Sequence, residues 1–111
     1  MRILLLSFAL AAVAVSVPAG GVRAADEIII TIKDHRFTPS EVRVPANKRI
    51  SIYVINDDPT PEEFESHALK VEKVIPGKSK ATIRIGPLKP GRYDFIGEFH
   101  AATAKGVVIA E

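Results

Sequence analysis

The chain has no cysteine, and its single methionine is Met1. Without cysteine there can be no disulfide, no thiol nucleophile and no thiolate grip on a metal. A small exported domain often leans on disulfides, so this one has to stand on its apolar core. Charge of one sign is also scarce: 15 Lys and Arg face 13 Asp and Glu. The one long apolar run lies at the start. Arg2 precedes Ile3–Val17 (ILLLSFALAAVAVSV), and small residues follow through Ala24 and Ala25. That order of features predicts a secretory signal over residues 1–24, cut after Ala24 or Ala25, and a folded domain over 25–111. The run is short for a bilayer span, which needs ~20 apolar residues. Removal of residues 1–24 takes Arg2 and Arg23 with it and leaves 13 basic against 13 acidic side chains. A neutral surface gives nucleic acid no basic face to bind.

What is present is strand after strand. Glu27–Lys33, Glu41–Val44, Arg49–Asn56, His67–Val74, Lys80–Ile85, Tyr93–Ile96 and Gly106–Glu111 are β-branched or alternate with period two. Turn chemistry separates them: DHRFTPS at 34–40, PAN at 45–47, DDPTPEE at 57–63, Pro76-Gly77 and GPLKPG at 86–91. No stretch carries a helical stripe of ten residues. About seven short strands with such punctuation predict an all-β antiparallel sandwich.

Chemistry-bearing residues fall in two acidic neighbourhoods. Glu62-Glu63-Phe64-Glu65-Ser66-His67 is one, and Glu98-Phe99-His100 is the other. If 65–71 is a strand, Glu65 and His67 share a face with Leu69 and Val71, which places them toward the core at one end of the sandwich. Glu98 and His100 also share a parity, just beyond Gly97. A carboxylate and an imidazole taken out of water need partners or a cation. The set Glu65, His67, Glu98 and His100 is the candidate metal site, with Glu63, Glu72 and His35 as outer candidates. Imidazole and carboxylate suit iron, zinc, manganese or divalent copper. The plainer readings are a solvated acidic tip at Glu62 and Glu63, a surface His35 and a hydrogen-bonded structural His67. Ser66 and His67 are strand neighbours and point to opposite faces, so they are not a nucleophile and its base.

FTPSEVRVPANKRISIYVIND (Phe37–Asp57), VIPGKSKATIRIGPLKPGRYDFIGEFH (Val74–His100) and KGVVIAE resemble the cupredoxin fold. The pattern is most similar to the EfeO-type cupredoxin-like domain of periplasmic iron uptake, in its stand-alone, FtrB-like form. The resemblance implies a cupredoxin-like Greek-key sandwich or barrel. Blue-copper cupredoxins hold copper with a His, a Cys, a second His and a Met. Carried over, the first His falls at or next to Glu65, the Cys at Gly97, the second His at His100 and the Met around Ala104 or Lys105. The cysteines of the EfeO-type domain fall on Phe37 and Gly97, and its site glutamate on Glu65. With sulfur missing throughout, the resemblance implies an oxygen and nitrogen site for iron or divalent copper and no type 1 blue-copper centre. It implies an accessory role in periplasmic iron uptake, beside an inner-membrane iron permease and a periplasmic iron-binding protein. A ferroxidase-type step is compatible with such ligands, but no independent catalytic motif marks an enzyme. The alternative is a metal-free sandwich that uses its acidic tip to bind a protein, and a free sheet edge would permit a homodimer.

Overall fold

The computed structural model describes residues 27–111, together with residues 4, 9, 11 and 12. The expected signal segment, 1–24, and its cleavage point therefore lie essentially outside the described residues. Among the described residues, nine strands form two sheets. One sheet has four strands in the order β2 (Arg36–Thr38), β1 (Ile28–Lys33), β4 (Ile50–Asn56), β7 (Ser79–Ile85). The other has five, in the order β3 (Glu41–Val44), β9 (Lys105–Ala110), β8 (Gly91–Gly97), β5 (Glu62–Ser66), β6 (Val71–Ile75). The β1–β4 and β3–β9 pairs are parallel and the rest antiparallel. The expected all-β sandwich is what forms.

Alternation explains the layers. In β4, Ile52 and Val54 are fully buried, while Tyr53 and Ile55, which alternate with them, face outward. Ile30 and Ile32 of β1 and Ile83 and Ile85 of β7 complete one inner face. Phe64, Ile75, Phe95 and Val108 supply the other. Toward one end, three phenylalanines close the core. Phe95 stacks on Phe64 at 4.6 Å between ring centres and meets Phe37 edge-on at 4.9 Å. Offset and edge-on aromatic pairs add to what burial alone contributes.

Three departures from the sequence reading matter for the site. Residues 34–40 are not one turn. Asp34 and His35, at φ 53° and 57°, make a two-residue hairpin from β1 into β2. Two successive positive φ values suit the right-handed twist of the paired strands. Residues 57–63 are not all loop, because the strand β5 begins at Glu62. Nor does one strand run from 67 to 74. The chain turns at His67–Lys70, where Ser66 Oγ accepts from the Leu69 N–H at 3.0 Å and Lys70 has φ 58°.

Asp58 anchors the first of these features. It is 6% exposed, and its carboxylate accepts the Asp34 N–H at 2.8 Å and the His35 N–H at 2.9 Å. Burial pushes its pKa up, but the His35 and Asp34 N–H groups outweigh that and hold it below the usual carboxylate range. Asp58→Ala is expected to cost about 2–4 kcal/mol, since it strands two amide donors and removes a buried charge-assisted pair. Urea unfolding checks this. The contribution of Asp58 is present above the carboxylate pKa of the unfolded chain and fades as pH falls through the depressed folded value.

Candidate metal centre

β5 carries a carboxylate on each face. Its burial alternates, with Glu62, Phe64 and Ser66 inward and Glu63 and Glu65 half-buried on the outer face. Phe64 sets that phase by packing between Phe37 and Phe95. The expectation that Glu65 and His67 face the core is therefore corrected. Glu65 points outward, and His67 is exposed in the turn that follows β5. That reading took its phase from Leu69 and Val71, which the turn separates from β5.

On the outer face, Glu65 lies directly opposite Glu72 of β6 in register, and Glu63 lies opposite Val74. Ligating oxygens of Glu63, Glu65 and Glu72 all lie within 4.8 Å of one another. Glu98, the first residue after β8, reaches the Glu65 side chain. Like charges set opposite each other on a sheet are destabilising. Among the described residues, no ion pair to Lys, Arg or His involves any of these four carboxylates. For Glu63 and Glu65 the crowding shifts the pKa. A hydrogen bond shared with Glu98, then desolvation and the charges of Glu98, Glu63 and Glu72, raise the Glu65 pKa. Desolvation, then Glu72 and Glu98, raise that of Glu63. Glu65, His67 and Glu98 also line one surface depression, together with Arg92 and Asp94. Of the four expected ligands, three thus flank one face, and the outer candidates Glu63 and Glu72 belong to it.

His100 is placed elsewhere. It closes a one-turn 3-10 segment, Glu98–His100, at the pole of the sandwich. Its Nδ1 lies 2.6 Å from Oε2 of Glu62, a carboxylate that is only 1% exposed. Oε1 of Glu62 accepts the Phe99 N–H at 2.9 Å and the Glu63 N–H at 3.0 Å. His35 stacks flat on His100, 3.5 Å between ring centres and 9° between planes. Thr103 Oγ1 donates to the His35 carbonyl at 2.6 Å, so the hairpin and the pole loop grip each other. Sequence reasoning assigned Glu62 to a solvated tip and His35 to the surface. The pairing of His100 with Glu62, three residues before Glu65, had one legible signal: Phe64 fixes the phase of β5, and Glu62 shares it. Ser66 Oγ is buried and donates to the Asp94 carbonyl at 2.6 Å, which leaves no nucleophile there.

This two-sheet all-β sandwich is the cupredoxin fold. The family model for the cupredoxin-like domain matches residues 3–110, and the chain belongs to that family. It is 47% identical over 83 residues to uncharacterized protein RP394 of Rickettsia prowazekii (strain Madrid E), an alignment covering 75% of this chain and 66% of that protein. The chain thus spans just under two thirds of that relative. Among solved structures it is similar in fold to amicyanin from Paracoccus versutus, with TM-score 0.62, 20% identity, and 86% of this chain and 90% of that one covered. It is likewise similar to a purple cupredoxin from Nitrosopumilus maritimus, with TM-score 0.61, 15% identity, and 77% and 100% covered.

The residues do not fit a type 1 copper ion. Such a centre depends on a copper–thiolate bond, and the chain has no cysteine. A Cβ added to Gly97, where the resemblance places the thiolate, would sit 2.7 Å from Glu62 Cδ and 2.6 Å from Ala104 Cβ. The donors that remain are oxygen and imidazole nitrogen.

Proposed function

We propose that this is a metal-binding cupredoxin-like protein that carries its cation on the outer face of the five-stranded sheet. Glu63, Glu65, Glu72 and Glu98 supply the ligands, and His67 stands at the rim. The observation that carries this reading is the convergence of Glu63, Glu65 and Glu72 oxygens within 4.8 Å, with no basic partner among the described residues. A cation there would turn mutual repulsion into attraction. All-oxygen, anionic ligands suit hard ions such as iron or manganese, and divalent copper, which most oxygen and nitrogen sites bind more tightly than divalent manganese or iron, competes for the same oxygens and for the rim imidazole. Clustered carboxylates favour the higher charge of a redox pair, so ferric iron is held more tightly than ferrous.

That preference fits an accessory of iron uptake in the periplasm. The protein receives iron as cargo, with or without its oxidation, and passes it to an inner-membrane permease beside a periplasmic iron-binding partner. The site is open and shallow, which suits a carrier that must release its ion. Calorimetric titration of the 25–111 domain with manganese(II), iron(II), copper(II) and zinc tests it. Saturable one-to-one binding that the outer-face variants abolish supports the reading. Absence of binding for all four ions removes it, and leaves the acidic tip as a surface for a basic protein partner.

The pH response follows from the same crowding. Folding raises the pKa of Glu63 and Glu65. The folded chain then holds more protons than the unfolded one from the ordinary carboxylate pKa up to the raised values. Metal-free stability is therefore expected to fall as pH rises through that window. Cation affinity is expected to rise over the same window, because the ion competes with those protons. Thermal melts at stepped pH, with and without manganese(II), check both directions.

A further inference from the structure

We propose that the pole of the sandwich, where the resemblance places the copper ligands, is a metal-free strut: the Glu62–His100 hydrogen-bonded pair fills the space and does the holding. Four observations support this. First, the pair is complete in itself. Each oxygen of the buried Glu62 carboxylate already has a donor: the His100 ring nitrogen at 2.6 Å on one, and the Phe99 and Glu63 amides on the other. A buried carboxylate satisfied in this way needs no ion.

Second, the space behind the pair is full. Ala104 is fully buried, and a Cβ on Gly97 would overlap both Ala104 and Glu62. Third, the loop closes on its own backbone. The Gly97 N–H donates to the Ala104 carbonyl at 2.8 Å, and the Ala104 N–H to the His100 carbonyl at 2.8 Å. Fourth, the second imidazole is turned the wrong way for chelation. His35 lies face to face with His100, so the in-plane lone pairs of the two rings run in nearly parallel planes instead of converging on one ion.

The strut takes over what a metal does for a small domain, which is to tie chain-distant segments together. Glu62 opens β5, His100 follows β8, and His35 turns β1 into β2. The outer-face reading of the cation site is assumed only in the copper arm of the test below.

The test uses the 25–111 domain with copper(II) as probe. His100→Phe keeps a ring to stack on His35 and removes the nitrogen bound to Glu62. Expected is a melting temperature in excess chelator lower by about 5 °C or more, the loss of one buried charge-assisted hydrogen bond in a domain of this size. Copper(II) affinity should stay within about twofold of the parent, and nitrogen couplings in pulsed electron paramagnetic resonance should be unaltered. An unchanged melting temperature in chelator overturns the strut. So does loss of an imidazole nitrogen coupling together with about a tenfold fall in copper affinity. If His100→Phe does not fold, Glu62→Gln is read in the same way, with an unaltered copper spectrum expected and an altered one overturning the proposal. A parent that binds no copper(II), while His100→Phe still melts lower, upholds the strut and removes the outer-face site.

Discussion

Glu65→Gln is expected to weaken manganese(II) or iron binding by about tenfold, near 1.4 kcal/mol, and Glu65→Gln with Glu72→Gln by more. The two side chains face each other across β5 and β6 and contribute two of the three oxygens that converge within 4.8 Å. Removing a formal charge beside a divalent ion costs at least that much even where solvent screens well. The metal-free variants are expected to be more stable than the parent, because the substitution relieves a like-charge pair. That opposite sign separates lost binding from lost folding. Calorimetry for the cation and urea midpoints for stability measure the two effects on one sample. A variant that binds normally would move the cation away from the outer face.

The second large effect is expected at Gly97→Ala. The added methyl would lie 2.6 Å from Ala104 Cβ and 2.7 Å from Glu62 Cδ. Neither neighbour can yield cheaply. Ala104 is fully buried and its carbonyl holds the Gly97 N–H, while Glu62 is fixed by three donors. Overpacking of this kind costs about 3 kcal/mol, read as a shift in urea midpoint with an unchanged slope. A silent Gly97→Ala would mean that the pole has room for a larger side chain and that the strut is looser than its geometry indicates. The outer-face carboxylates sit on the other side of β5, so cation affinity of the folded variant is expected to change little.

Much of this was readable in the chain. Alternation in 41–44, 49–56 and 80–85 marked strands, and the cupredoxin resemblance gave their arrangement. The sequence reading groups Glu65, His67, Glu98 and His100, with Glu63 and Glu72 further out; the structure brings Glu63, Glu65 and Glu72 together and sets His100 on Glu62 instead. What escaped was phase. Pro59 and Pro61 made 57–63 look like loop, so β5 was started five residues late and its inward face was taken from Leu69 and Val71 instead of Phe64. A one-residue change of phase exchanges the faces of a strand. That exchange moved Glu65 outward and hid Glu62, a carboxylate that burial patterns would never choose for the core. The stacking of His35 on His100 left no trace in sequence, because it depends on the Asp34-His35 hairpin being pinned by Asp58 from 23 residues away.

The most direct measurement is anomalous diffraction from crystals of the domain grown with manganese(II). The account predicts one strong peak on the outer face, within coordination distance of Glu65 and Glu72 carboxylate oxygens, with the Glu62–His100 hydrogen bond intact. A peak between Glu62 and His100, with that bond opened and the outer carboxylates bare, would contradict it.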